Sequence, residues 1–174
     1  MTIEKLPALL GEALTARGYT TLTPVQTAVI AEEADGRDLV VSAQTGSGKT
    51  VAFGLAMAPQ ILDGGLVSLA RDPAALIIAP TRELALQVSR ELMWLYGKAG
   101  VRIATCVGGM DASKERRNLQ TGPQIDVGTP GRLRDHLDNL SKHGIAADLV
   151  GPHDETARLV HRATDDLFAD GLGH

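Results

Sequence analysis

The chain has 174 residues, of which 44% are hydrophobic, 22% charged and 3% aromatic, and its formal net charge is −4. This composition excludes a disordered chain, a collagen-like chain and a coiled coil, and the length allows a core that needs no disulfide or metal. The negative charge excludes a general basic surface for nucleic acid. A polyanion would have to be bound locally, by backbone N–H groups and a few arginines.

Cysteine content and hydropathy bear on location. Cys106 is the single cysteine, so an internal disulfide is excluded and a reduced, cytoplasmic setting is expected. The sequence has no apolar run approaching the ~18 residues of a membrane helix. Residues 1–10 contain Glu4 and Pro7 and lack the apolar region of a signal peptide. We therefore expect no membrane association.

The first part of the chain predicts three helices and one strand. Apolar residues at helical spacing predict a helix over residues 3–17, and Thr23-Pro24 predicts the start of a second helix that ends near Glu33. The short apolar run over residues 38–42 predicts a strand. After a loop of small residues, a third helix is predicted over residues 49–62.

The next part alternates regularly between strand and helix. The pattern predicts strands over residues 75–79, 101–107 and 124–128, and helices over residues 81–96, 111–119 and 130–140. Because strands such as ALIIA are apolar on both faces, we expect an α/β fold with a parallel sheet and helices on both faces. Asp126 stands in the third of these strands where an apolar residue is expected, and an unpaired buried carboxylate is costly.

The strongest motif is a phosphate-binding loop between the first strand and the third helix. Glycines let the loop curl so that its N–H groups face one anion, and the following helix N-terminus favours negative charge. Lys49 supplies a charge for the β/γ-phosphates and Thr50 a hydroxyl for Mg²⁺. The candidate nucleotide-binding residues are Gln44, Thr45, Gly46, Ser47, Gly48, Lys49 and Thr50. A glycine-rich turn without a ligand is the alternative.

Several motifs in order resemble the first RecA-like domain of the DEAD-box RNA helicases. The string AQTGSGKT over residues 43–50 matches the family's phosphate loop, and GYTTLTPVQ over residues 18–26 resembles its Q motif. PTRELA over residues 80–85 is identical to motif Ia, Gly108-Gly109 matches the GG motif, and TPGR over residues 129–132 matches motif Ib. The resemblance implies a RecA-like P-loop NTPase fold and ATP-dependent RNA unwinding, with ATP and Mg²⁺ as cofactors.

By this resemblance the Q motif binds the base of ATP. Gln26 would read the adenine edge, since an amide offers a donor beside an acceptor, and Tyr19 would lie at the nucleotide. A solvent-facing helix residue is the alternative for Gln26. The family usually has an aromatic residue further upstream that stacks on adenine, and no Phe, Tyr or Trp precedes Tyr19 here.

The resemblance also implies contacts to the RNA backbone. Arg82, Gly109, Thr129 and Arg132 would hold RNA at the carboxyl ends of strands, where open α/β sheets bind ligands. Contacts to the backbone carry no sequence information, so the binding should be independent of sequence. The alternatives are a salt bridge at a helix end for Arg82 and a plain N-cap for Thr129.

The resemblance weakens towards the C-terminus. The family has Asp-Glu-Ala-Asp at a strand end, and the nearest match is DETA over residues 154–157. Asp154 would bind Mg²⁺ and Glu155, with Lys49, would be catalytic. An equally simple interpretation makes Asp154 the N-cap of a helix and Glu155 a residue of its first turn.

The resemblance implies a division of the chain into two parts. We expect residues 1–139 to form an incomplete RecA-like ATP-binding domain and residues 140–174 to form a divergent, partly helical segment. The family's second RecA-like domain is expected as a partner and does not match any part of this sequence. The chain is then either an ATP-hydrolysing helicase domain or a half-clamp that binds nucleotide and RNA without hydrolysis. We also hypothesise that the last ~35 residues come from truncation, frame alteration or divergence.

Overall fold

The computed structural model describes residues 3–67, 73–109 and 111–142. These residues divide into two compact units. The first comprises residues 3–67 with 88–102, and the second comprises residues 73–87, 103–109 and 111–142. The candidate residues Asp154 and Glu155 lie outside the described residues.

The first unit is mainly helical. Its short antiparallel hairpin pairs β1 (Leu62–Asp63) with β2 (Leu66–Val67). 3₁₀ turns lie at Ile3–Lys5, Glu32–Ala34 and Gly97–Ala99, and the helices are α1 (Ala8–Ala16), α2 (Pro24–Val29), α3 (Lys49–Ile61) and the second half of α4 (Arg82–Tyr96).

Local sequence explains where these helices begin. The predicted helix over residues 3–17 is interrupted because Pro7 occupies the N-cap of α1. Thr23 caps α2 in a capping box with Gln26, and Pro24 follows at the first helical position. Gly18 has φ +85° and so permits the turn after α1.

The core of the first unit is aliphatic around one tyrosine. Leu10, Leu14, Ile61, Leu92 and Leu95 are almost completely buried, and so is Tyr96. The Tyr96 hydroxyl donates to the Gly54 carbonyl at 2.6 Å. This bond satisfies the one polar atom of a buried ring.

The strand predicted over residues 38–42 is wrong. These residues have no regular secondary structure, and Val40 is fully exposed. A strand needs a neighbour that satisfies its backbone N–H and C=O groups, and within the described residues this segment pairs with no strand. The apolar pattern alone could not reveal that.

The second unit contains a three-stranded parallel sheet, which confirms the parallel sheet predicted from the sequence. Its strands are β3 (Ala75–Ile78), β4 (Ile103–Cys106) and β5 (Ile125–Gly128), in the order β3-β5-β4. Ile78, Gly128 and Cys106 align at the carboxyl edge. Helices α5 (Ala112–Gln120) and α6 (Pro130–Lys142) follow β4 and β5, respectively.

Asp126 lies in the central strand of this sheet, between Leu76 and Ala104. Its Oδ1 is buried and has no hydrogen-bond partner among the described residues. Burial raises the pKa of Asp126 to about 7. The unusual carboxylate noticed in the sequence is therefore poorly accommodated by its surroundings.

Among residues 3–67, 73–109 and 111–142, no helix combines the length and the apolar character that crossing a membrane requires.

Candidate nucleotide and RNA sites

The phosphate loop joins an irregular segment to the N-terminus of α3. Gly46 and Gly48 have φ +79° and +84°, values that a residue with a side chain adopts at a cost. α3 begins at Lys49 and continues for 13 residues. The loop therefore turns through two left-handed glycines into a helix N-terminus, as the sequence predicted, and phosphate binding by it stays a prediction.

Lys49 lies across this loop. Its Nζ donates to the carbonyl oxygen of Gln44 at 2.8 Å and also to that of Ala43. An ammonium group has three donors and no acceptor, so both contacts compete with a phosphate for the same charge. One of the three donors of Lys49 is left for a phosphate while both carbonyl contacts are kept.

The Q motif is tied directly to the phosphate loop. Gln26 is completely buried. Its Oε1 accepts from the Thr23 backbone N–H at 3.0 Å, and its Nε2 donates to the Gly48 carbonyl at 3.3 Å. The Thr23 hydroxyl donates to the Ser47 carbonyl at 3.0 Å. The N-cap side chain and one side chain of α2 thus hold the backbone of two consecutive loop residues.

These contacts hold the phosphate loop in place, a role that the sequence did not indicate for Gln26 or for Thr23. The solvent-facing alternative for Gln26 does not hold, since the side chain is buried. Contact between Gln26 and adenine stays a prediction.

The donor groups present fit a nucleotide phosphate. Ser47 Oγ is buried and has no hydrogen-bond partner among the described residues. A side chain added at Gly46 would meet only open space. A cleft lined by Thr23, Gln44 and Ser47 lies beside the loop. The loop thus offers a free hydroxyl and room for a ligand.

Tyr19 lies in an aromatic contact of the first unit. Its ring stacks on Trp94 with centroids 6.2 Å apart, and the guanidinium of Arg17 lies 4.8 Å from the Trp94 ring centroid. One face of the Tyr19 ring is therefore packed against Trp94. Its predicted contact with the nucleotide remains a prediction.

The predicted RNA-binding residues follow the same edge of the parallel sheet. Arg82 comes after β3, Gly109 after β4, and Thr129 with Arg132 after β5. The three strands end in register. The structure therefore brings motifs Ia, GG and Ib together within the second unit.

Motif Ia contacts the GG motif directly. Arg82 Nη1 donates to the Gly108 carbonyl at 2.6 Å. Gly109 has φ +79°, and a Cβ atom there would collide with Arg82 Nη1. The Thr81 hydroxyl accepts from the Leu84 N–H at 3.2 Å and caps the helix that carries Arg82. Instead of the salt bridge considered as the alternative, Arg82 thus makes a hydrogen bond to the backbone carbonyl of Gly108.

Motif Ib is held against the end of β4. The Thr129 N–H donates to the Cys106 carbonyl at 3.0 Å. A Cβ atom at Gly128 would lie 2.7 Å from both the Cys106 carbonyl oxygen and Leu133 Cγ. The close packing of these backbones requires glycine before Thr129.

A buried ion-pair network lies behind motif Ib. Glu115 is 3% exposed, and its Oε2 accepts from Arg132 Nε at 2.7 Å and contacts His136 Nε2 at 2.9 Å. Its Oε1 accepts from the Val107 N–H at 3.2 Å. Arg132, predicted as an RNA contact, therefore neutralises a buried carboxylate.

The sequence does not predict a functional role for Glu115 or His136. Glu115 is surrounded by charged residues in a polar helix, which suggests a solvated side chain. The sequence does contain one indication of a shared partner. Arg132 and His136 are four residues apart and therefore lie on one face of α6, where both can contact the same carboxylate.

The sequence model of the DEAD/DEAH box helicases matches residues 23–150. The chain is 48% identical over 120 residues to the ATP-dependent RNA helicase CshA of Listeria monocytogenes, covering 69% of this chain and 22% of that protein. It is 40% identical over 172 residues to the ATP-dependent RNA helicase DbpA of Escherichia coli, covering 97% of this chain and 36% of that protein. The chain thus spans between about a fifth and about a third of these relatives.

A solved structure shares the fold. Mss116p, in a structure described as bound to ssRNA and AMP-PNP, superposes with a TM-score of 0.67 at 29% identity, covering 81% of this chain and 30% of that one. This likeness confirms the predicted RecA-like α/β fold. Since the family model covers well over half of the sequence, the chain belongs to the DEAD/DEAH box helicase family.

Proposed function

We propose that the chain is the ATP-binding RecA-like part of an ATP-dependent RNA helicase. The observation that carries this proposal is the bond from Gln26 to the Gly48 carbonyl. A phosphate loop alone indicates only a nucleoside triphosphate, whereas a loop held by Gln26 also fits the Q motif that the sequence resembles and the family to which the chain belongs.

ATP would be bound by the phosphate loop. The backbone of residues 44–48 and the Lys49 ammonium would hold its phosphates, and the Thr50 hydroxyl would bind Mg²⁺. Bound ATP·Mg²⁺ supplies the phosphoryl group that is transferred to water. The protein's own contribution at this loop is to place the Lys49 ammonium beside the phosphates and to hold the loop backbone through Gln26 and Thr23.

Single-stranded RNA would be bound through its backbone at the edge formed by motifs Ia, GG and Ib. Support comes from the shared strand edge, the contact between Arg82 and Gly108, and the relative whose structure holds ssRNA. Arg82, Gly109, Thr129 and Arg132 are the proposed contacts. Because sugar and phosphate are the same in every nucleotide, we expect no sequence preference.

Hydrolysis and unwinding would require more than the described residues. We propose that Asp154 binds Mg²⁺ and that Glu155 acts with Lys49 in catalysis, and that a second RecA-like domain completes both sites. We also propose that residues 1–139 form the RecA-like domain, that residues 140–174 form a divergent segment, and that the protein is cytoplasmic. The similarity to named helicases favours this enzyme over a non-hydrolysing half-clamp.

The test is phosphate release from ATP with and without single-stranded RNA, for the wild type and for Glu155→Gln. The proposal expects RNA-stimulated release that Glu155→Gln removes while nucleotide still binds. An exposed change, Glu12→Gln, serves as the control. If the wild type binds ATP without releasing phosphate in the presence of RNA, the half-clamp replaces the helicase.

A further inference from the structure

We propose that Glu115 is a positioning residue for RNA, which fixes the GG motif relative to motif Ib. This inference rests on the proposed RNA-binding function. It concerns a residue that lies in none of the motifs and that touches no RNA itself.

The first argument is connectivity. Through Oε1, Glu115 holds the N–H of Val107, the residue directly before Gly108-Gly109. Through Oε2, it holds Arg132 and His136, which lie in the first two turns of α6 after Thr129. One carboxylate thus joins the two turns that carry the proposed RNA contacts Gly109 and Thr129.

The second argument is burial. Glu115 is 3% exposed, and the side chains of His136 and Arg132 are 8% and 17% exposed. Water cannot readily replace a partner that is lost from such a network, so the geometry depends on all three donors being satisfied. Because a carboxylate oxygen only accepts, the imidazole must carry its proton on Nε2.

The third argument is that the three donors around residue 115 need two acceptor oxygens. A carboxylate offers two acceptor oxygens to three donors. A glutamine of the same shape offers one oxygen and an NH₂ group, which would face the N–H of Val107 or those of Arg132 and His136. Glu115→Gln therefore removes positioning with almost no change in volume.

The sign of the effect separates positioning from simple electrostatics. Removing a negative charge next to a polyanion site should strengthen RNA binding if charge alone matters. A positioning role predicts weaker binding instead. If the variant is folded and more positive yet binds RNA less tightly, the loss of affinity must come from a displaced GG motif or motif Ib.

The experiment measures binding of a fluorescently labelled oligouridylate to the whole chain with a non-hydrolysable ATP analogue present. Affinity for the analogue and the unfolding temperature are measured in parallel. We expect Glu115→Gln to weaken RNA binding by about tenfold, with nucleotide affinity unchanged. The matched control, Glu12→Gln, breaks an exposed pair with Lys98 and should leave RNA binding as in the wild type.

A folded Glu115→Gln chain that binds RNA as tightly as the wild type, or more tightly, overturns the inference. If that variant does not fold, His136→Gln and His136→Leu decide, since the first keeps an N–H donor for Glu115 and the second does not. Equal RNA affinity for these two variants then contradicts positioning. A wild type that binds the ATP analogue and no RNA contradicts the proposed function itself.

Discussion

The amide of Gln26 and the carbonyl of Gly48 are joined by a hydrogen bond of 3.3 Å between residues 22 positions apart in the sequence. The same amide accepts from Thr23 N–H. The loop conformation is thus coupled to the cap of α2, and a change in either should be felt by the other. This coupling makes Gln26 a structural residue before any ligand arrives.

Gln26→Glu should destabilise the first unit. The substitution replaces the donor to Gly48 by a second acceptor in a buried position, so we expect the free energy of unfolding to fall by about 2 kcal/mol. Chemical denaturation checks this, with Gln60→Glu as the control on an exposed face of α3. If Gln26 also reads adenine, Gln26→Ala will reduce affinity for ATP more than for GTP. Equal losses for both nucleotides would limit Gln26 to the structural role.

Lys49→Ala should abolish most nucleotide binding. The ammonium is the one side-chain charge on the phosphate loop, and hydrogen bonds to charged groups support a loss of about tenfold or more in ATP affinity. Titration of a fluorescent ATP analogue measures the effect. Lys98→Ala, which breaks the exposed pair with Glu12, is the matched control. Unchanged affinity in folded Lys49→Ala would rule out the loop as the phosphate site.

Arg82→Ala should weaken RNA binding, and the salt dependence should show why. A cation that contacts phosphate adds about one unit to the slope of log K against log salt concentration, so its loss lowers that slope by about 1. If Arg82 only braces the Gly108 carbonyl, affinity should fall while the slope stays the same. Arg90→Ala, on an exposed position of the same helix, is the control. Full affinity for folded Arg82→Ala would argue against motif Ia as an RNA contact.

Asp126 should make the protein less stable as the pH rises. Its folded pKa, about 7, lies above the ordinary value of 3.8 for an aspartate, so the native state binds more protons than the unfolded chain between these two pH values. The contribution of Asp126 to the free energy of unfolding is therefore greatest below about pH 4. It is lost as the pH rises to about 7, with a loss on the order of 4 kcal/mol. Asp126→Asn should flatten the dependence.

Urea denaturation at several pH values between these limits measures this effect. Asp126→Val should also raise stability at neutral pH, since valine suits a strand position between Leu76 and Ala104. Asp63→Asn, an exposed change, should leave the pH dependence as it is. A wild type and Asp126→Asn with the same dependence would show that Asp126 finds a partner in solution.

The features that the sequence predicted well are local or repetitive. The phosphate loop, its glycines and the start of α3 depend on neighbouring residues, and the parallel sheet follows from the alternation of apolar strands with helices. Motifs Ia, GG and Ib were expected to share a strand edge, and they do.

What the sequence did not predict depends on residues far apart in the chain. The segment over residues 38–42 has the composition of a strand but no ladder partner among the described residues. The burial of Gln26 depends on Gly48, and that of Glu115 on Arg132 and His136. Hydrophobic periodicity carries no information on such pairs, because it describes one element at a time.

Gly128 shows how a motif can mislead a mutational scan. Every substitution there forces a side chain into the Cys106 carbonyl and Leu133, so the position should tolerate nothing else. It directly precedes Thr129, a proposed RNA contact. An intolerant residue beside a ligand is readily taken as part of the recognition surface, yet here the intolerance would arise from two backbones that approach too closely to admit one methyl group.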